Sequence, residues 1–185
     1  AICGEKAGVD LVCLETFTDL KEARIALLAV KENTALPAFV TLSFDENGTT
    51  MNGSTPSAVA VTLKAAGASA VGLNCSLGPD KIKGIVDEFL KYSDLPVIVK
   101  PNAGLPDPKT GEYTMNAGDF SQYMKEFYEN GVSVMGGCCG TSPEYIRLLK
   151  NTLETVEKGT PEKVKGCVIS GVNEAVVLNE PRIIG

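Results

Sequence analysis

The chain has 185 residues, enough for one domain with a real core, and its 44% hydrophobic and 22% charged residues are the balance of an ordinary globular protein. A net charge of −6 leaves no basic footprint for nucleic acid, and no apolar run reaches the roughly 20 residues that span a bilayer. Histidine is absent, so any transition-metal site must be built mainly from sulfur, and six cysteines are available to build it.

In chain order, short β-rich runs alternate with helical stretches. Residues 9–17 read as a buried strand, with Cys13 as a small core residue inside it. Asp19, with Glu22 three residues on, caps a helix over 20–31. Residues 37–44 are the next strand, followed by a polar loop over 45–54. Thr55-Pro56 opens a helix to about residue 66. Residues 68–75 form the third strand, and Gly78-Pro79 opens a helix toward Tyr92. Residues 95–100 form the fourth strand. A long loop over 101–116 leads to a helix from about Asp119 to Asn130, stopped by Gly131. Residues 132–136 form the fifth strand, and Ser142-Pro143-Glu144 starts a helix that ends near Gly159. The tail, with Pro161, Gly166, Gly171 and Pro181, reads as a linker ending in an incipient strand at Arg182-Ile183-Ile184-Gly185. Strand and helix alternating in this way predict an α/β fold with a parallel sheet.

In parallel sheets, reactive groups gather at the carboxyl ends of the strands. Glu15, Cys75 and the pair Cys138-Cys139 all fall at such ends. Adjacent cysteines suit disulfide geometry poorly, and this cysteine usage fits a reducing compartment, so the expected location is cytoplasmic. Cys3 and Cys167 receive no role. A strand-end cysteine alone is usually a small buried residue. Three that converge would suit zinc and leave its fourth position open, as catalytic sites do. A thiol entering that position loses its proton and becomes a nucleophile at neutral pH. Gly136 and Gly137, ahead of Cys138, allow close backbone approach and unusual φ/ψ. Asn74 and Asn102 read first as turn formers, and Tyr113 and Tyr123 carry no signal.

The run Gly136-Gly137-Cys138-Cys139-Gly140-Thr141-Ser142-Pro143-Glu144 closely resembles the homocysteine S-methyltransferase family. Gly72-Leu73-Asn74-Cys75-Ser76 resembles that family's other zinc-cysteine strand. Glu15-Thr16-Phe17 is similar to its acidic strand end, and Pro101-Asn102-Ala103-Gly104 to a barrel loop. The resemblance implies a (β/α)8 TIM-type barrel, of which this chain carries about the last five units. Residues 1–158 would be the C-terminal part of the homocysteine-binding barrel. It implies Zn2+ on Cys75, Cys138 and Cys139, which act catalytically through the metal. Glu15, Gly136, Gly137 and Asn74 would bind homocysteine, Glu15 at its amino group.

Residues 159–185 carry Ser170-Gly171 and Asn179-Glu180-Pro181-Arg182-Ile183-Ile184-Gly185. They resemble the linker into the pterin-binding domain of cobalamin-dependent methionine synthases. The expected partners are therefore homocysteine, a missing N-terminal barrel segment and downstream pterin- and cobalamin-binding domains. No nucleic acid or membrane partner is expected. Methylcobalamin and methyltetrahydrofolate would act only through those other domains, and the chain alone would be inactive. Betaine or S-methylmethionine as donor, or a non-catalytic zinc-stabilised domain, are the alternative readings.

Overall fold

The computed structural model describes residues 1–180. A short helix α1 (Ile2–Lys6) precedes β1 (Val12–Phe17), α2 (Leu20–Asn33), β2 (Ala38–Leu42), α3 (Pro56–Ala65) and β3 (Ala70–Asn74). Then come α4 (Lys83–Tyr92), β4 (Val97–Lys100), α5 (Ala117–Glu129), β5 (Val134–Met135) and α6 (Pro143–Leu153). The strands pair in the order β1-β2-β3-β4-β5, every pair parallel. This is an α/β fold, a parallel five-stranded sheet of the kind found in part of a TIM barrel. No helix among the described residues is long and apolar enough to cross a membrane.

The helices begin where local chemistry starts them. Asp19 accepts from the Lys21 and Glu22 N–H groups at 2.6 and 3.4 Å. Thr55 accepts from Ala58 N–H, with Pro56 at the first helical position. Asn116 accepts from Asp119 N–H at 2.9 Å, so α5 starts slightly ahead of the expected position.

Three expectations about the elements are corrected. The run after Gly78 is not one helix: a 3-10 turn at Pro79–Lys81 comes first, and Ile82 breaks out at φ −105°, ψ 4° to bury its side chain. The α6 helix stops at Leu153, because the chain must then pass beside the end of α5. A Cβ on Gly159 would fall 1.7 Å from the Glu129 carbonyl oxygen.

The tail is the third case. Much of it forms an antiparallel hairpin, β6 (Cys167–Ser170) with β7 (Ala175–Leu178). Lys163 Nζ donates to the carbonyls of Leu90 and Ser93 at the end of α4. The hairpin is tied to α3: Thr55 N–H donates to Asn173 O, Ser54 Oγ to Val172 O, and Thr62 Oγ1 meets Ser170 Oγ. These are long-range polar partners with no local period, which is why the sequence shows only a linker. The strand expected at Arg182-Ile183-Ile184-Gly185 lies outside the described residues.

The apolar core lies on the face of the sheet that packs against the helices. Val40, Leu42, Val71, Leu73, Val97 and Val99 meet Leu27, Leu63, Phe89 and Phe120 there. Alternate residues point the other way. Parallel register puts Cys13, Glu15, Thr41, Asn74, Lys100 and Gly136 on that second face. Cys13 is exposed, not a core residue, and Val9 and Leu11 ahead of it are also exposed. The reason is position: β1 is an edge of the sheet, so a run that is apolar in sequence has a neighbour on one side only.

Candidate metal centre

Cys75 follows the last residue of β3, and Cys138 and Cys139 follow β5 on the other side of β4. Their sulfur atoms all lie within 4.8 Å of one another, and Cys75 Sγ is 3.8 Å from Cys139 Sγ. A tetrahedral ion with metal–sulfur bonds of about 2.3 Å has sulfur–sulfur edges of about 3.8 Å. The three side chains therefore stand where one ion could be shared, and all three cysteines are free. Burial first, then the charge of Cys75, pushes the Cys138 thiol up to about 11.

The backbone holds these sulfurs in place. Cys75 and Ser76 take left-handed conformations, at φ 64° and 60°, uncommon for residues other than glycine. Cys75 N–H donates to Lys100 O, and Cys138 N–H to Pro101 O, so β4 anchors both arms. Asn102, 4% exposed, joins the two loops: its N–H donates to Leu77 O and its Oδ1 accepts from Cys139 N–H. Thr141 closes the turn by donating to Cys138 O at 2.7 Å. A Cβ on Gly137 would lie 2.5 Å from the Thr141 side chain, and one on Gly136 would lie 3.3 Å from Lys100 Cγ. Both glycines thus permit close approach, as expected. Neither has a positive φ, and the left-handed residue of this turn is Gly140.

Asn74 is only 1% exposed. Its Oδ1 accepts from Thr16 N–H and from Thr41 Oγ1, and its Nδ2 donates to Thr16 Oγ1 and lies 3.9 Å from Cys138 Sγ. This amide compensates for an irregularity in β1. The β1–β2 register shifts between Leu14 and Phe17, a bulge in which Thr16 adopts φ 64°. A β-branched residue there is strained, and the bulge costs Thr16 its ladder partner. The Asn74 side chain supplies the missing partner. Glu15, in the bulge, pairs with Lys100, and that hydrogen bond holds its carboxyl below the usual range.

Sequence reasoning passed over Lys100, Asn102 and Tyr113. Lys100 carried the signal that marked Glu15: a charge ending an apolar strand. Asn102 and Tyr113 lie in the long 101–116 loop, where no period signals a role. The Tyr113 ring packs so close to Gly140 that a Cβ there would lie 2.3 Å from it. Lost hydration, then the charge of Cys139 and a hydrogen bond with it, raise the Tyr113 hydroxyl.

The chain is similar to known proteins. Methionine synthase of Mycobacterium leprae (strain TN) is 32% identical over 161 residues, which are 83% of this chain and 13% of that protein. The homocysteine methyltransferase MmuM of Escherichia coli superposes in its apo form with a TM-score of 0.64 at 21% identity, covering 80% of this chain and 51% of MmuM. Its metallated form gives 0.66 at 22%, covering 80% and 46%. The MmuM superpositions show the fold, and this chain spans about half of that protein's length. The family model described as homocysteine S-methyltransferase matches residues 2–153, and the chain belongs to that family.

Proposed function

We propose that this chain is the zinc-binding, thiol-activating part of a homocysteine methyltransferase of the methionine synthase type. The observation that carries the reading is three cysteine sulfurs within 4.8 Å just past the ends of β3 and β5, with no fourth protein ligand among the described residues. An all-sulfur donor set suits zinc, and a three-ligand site leaves one position for substrate. Bound there, zinc would supply a Lewis acid that lowers the pKa of the homocysteine thiol and so presents a nucleophile at neutral pH.

The chain's own residues do the rest. Cys75, Cys138 and Cys139 hold the ion. Glu15 meets the substrate ammonium from the second face of the sheet. Gly136 and Gly137 keep side chains out of the space where the substrate lies. Asn74 acts from beneath, fixing the bulge that carries Glu15 and facing Cys138. In a protein of that type the remaining units of the barrel and the pterin- and cobalamin-binding domains would complete the catalytic unit. The 13% share of the methionine synthase relative supports that reading. The same similarity favours methylcobalamin over betaine or S-methylmethionine as donor.

The test is zinc analysis with homocysteine titration. The protein is expected to hold one zinc, and each of Cys75→Ser, Cys138→Ser and Cys139→Ser is expected to lower that content. Homocysteine should then bind with release of a proton. Zinc without thiol uptake would mean a structural metal site, and undiminished zinc in any variant would remove that cysteine from the set. Supplying each methyl donor in turn to the whole protein identifies the one it uses.

A further inference from the structure

Lys100 is the unexplained charge in this centre. It ends β4, in register with Asn74 on one side and, by continuation of the β4–β5 pairing, with Gly136 on the other. Its carbonyl oxygen accepts from Cys75 N–H at 3.1 Å, and its side-chain stem lies over Gly136, two residues ahead of Cys138. Both cysteine-bearing arms therefore flank it. Its side chain is only 19% exposed, and among the described residues Glu15 is its only ion-pair partner. An ammonium has three donors, so the contact with Glu15 leaves donor capacity unused.

The pair crosses the second face of the sheet from β4 to β1. That crossing is open because Gly72 carries no side chain and Thr41 and Asn74 are buried beneath it. A half-buried lysine and a carboxylate placed side by side next to a thiol-activating centre match the α-carbon of an amino acid. That carbon bears an ammonium and a carboxylate a bond apart, joined to the thiol by a short alkyl spacer. We propose that Lys100 is a substrate-specificity residue that binds the α-carboxylate of the incoming amino-acid thiol, while Glu15 takes its ammonium. The Lys100–Glu15 contact opens to admit the zwitterion, and each side chain exchanges one ion pair for another. This inference rests on the thiol-binding reading above and adds the group that selects an α-amino acid over a simple aminothiol.

The experiment compares homocysteine with homocysteamine, the same aminothiol without its carboxylate. Calorimetry on the zinc-loaded whole protein gives both affinities, in the natural sequence and in Lys100→Met and Lys100→Arg. Zinc content is measured for each, so that a collapsed site is recognised. The proposal expects Lys100→Met to lower the homocysteine-to-homocysteamine affinity ratio roughly tenfold or more, the loss of one charge-assisted hydrogen bond, and Lys100→Arg to keep most of it. An unchanged ratio in Lys100→Met overturns it. That result covers a lysine that merely neutralises Glu15, which would shift both ligands together, and one that merely supports the fold. If the natural protein binds neither thiol, the thiol-binding reading falls, and this inference with it. If it binds both and Lys100→Met keeps the ratio, only this inference falls.

Discussion

Thr16 and Cys75 both stand at φ 64°, at β1 and past β3, two strands separated by β2 and joined through Asn74. Left-handed conformations of such residues cost about 1–3 kcal/mol each and persist only where the surroundings enforce them. Asn74 is that enforcement: truncating it strands the buried Thr41 hydroxyl and takes from the Thr16 N–H the acceptor that holds the bulge. Asn74→Ala is therefore expected to destabilise the fold by roughly 2–3 kcal/mol, read from chemical denaturation, and to weaken metal binding as well. Unaltered stability would show that water replaces the amide without loss. Glu15 tests a different point. Glu15→Gln is expected to weaken homocysteine binding while leaving zinc content intact, since the carboxylate is not a ligand in the cysteine set. It also alters the acid limb of stability. A carboxyl held below its ordinary 4.5 by Lys100 stabilises the fold above that pH, and the contribution fades as protonation proceeds below it. Glu15 is partly exposed, so the contribution is small, and Glu15→Gln should show a slightly flatter loss of stability in acid.

Among the elements, β3 is the most constrained. Every residue of Ala70–Asn74 is buried, and a Cβ on Gly72 would fall 1.9 Å from the Ile98 carbonyl oxygen of β4. Backbone cannot yield as a side chain can. Gly72→Ala is expected to destabilise by about 3 kcal/mol or more, or to prevent folding, and thermal melts beside the natural chain would show it. A mild effect would mean that β3 and β4 slide apart without disturbing Cys75, whose N–H is bonded to Lys100 O across the same pair of strands. Element and site are thus coupled: the glycine that lets the strands approach also sets the distance between the two cysteine-bearing arms.

As a whole molecule, the sheet ends in two parallel edges, β1 and β5, and its second face carries exposed Cys13 and Glu15 beside the cysteine cluster. Unpaired edges and wet inner faces favour association. By itself the 185-residue chain is expected to self-associate in sedimentation and to bind an apolar dye, and to make no methionine. Addition of the complementary barrel units should suppress both the association and the dye signal. A dye-free, compact monomer with full activity would contradict the half-barrel account.

The sequence by itself determined the alternation of strands and helices, the parallel sheet, and the positions of Cys75, Cys138 and Cys139 past their strand ends; Glu15, expected at a strand end, lies inside β1 in the bulge. Those features are local: apolar runs, capping residues such as Asp19 and Thr55, and glycine-flanked cysteines can be read within a few residues of themselves. Tertiary structure alone decided the rest. Cys13 is exposed because its strand lies at an edge, a fact about neighbours that the apolar run 9–17 does not contain. Asn74 and Asn102 became struts because their partners, Thr16 and Cys139, are distant in sequence. Residues 160–180 are ordered by contacts with α3 and α4, although their own period is weak. Lys100 and Glu15 are an ion pair only because the strands that carry them belong to one sheet. Local chemistry fixes which backbone a residue adopts; which side chain it then meets is set by the register and order of the strands.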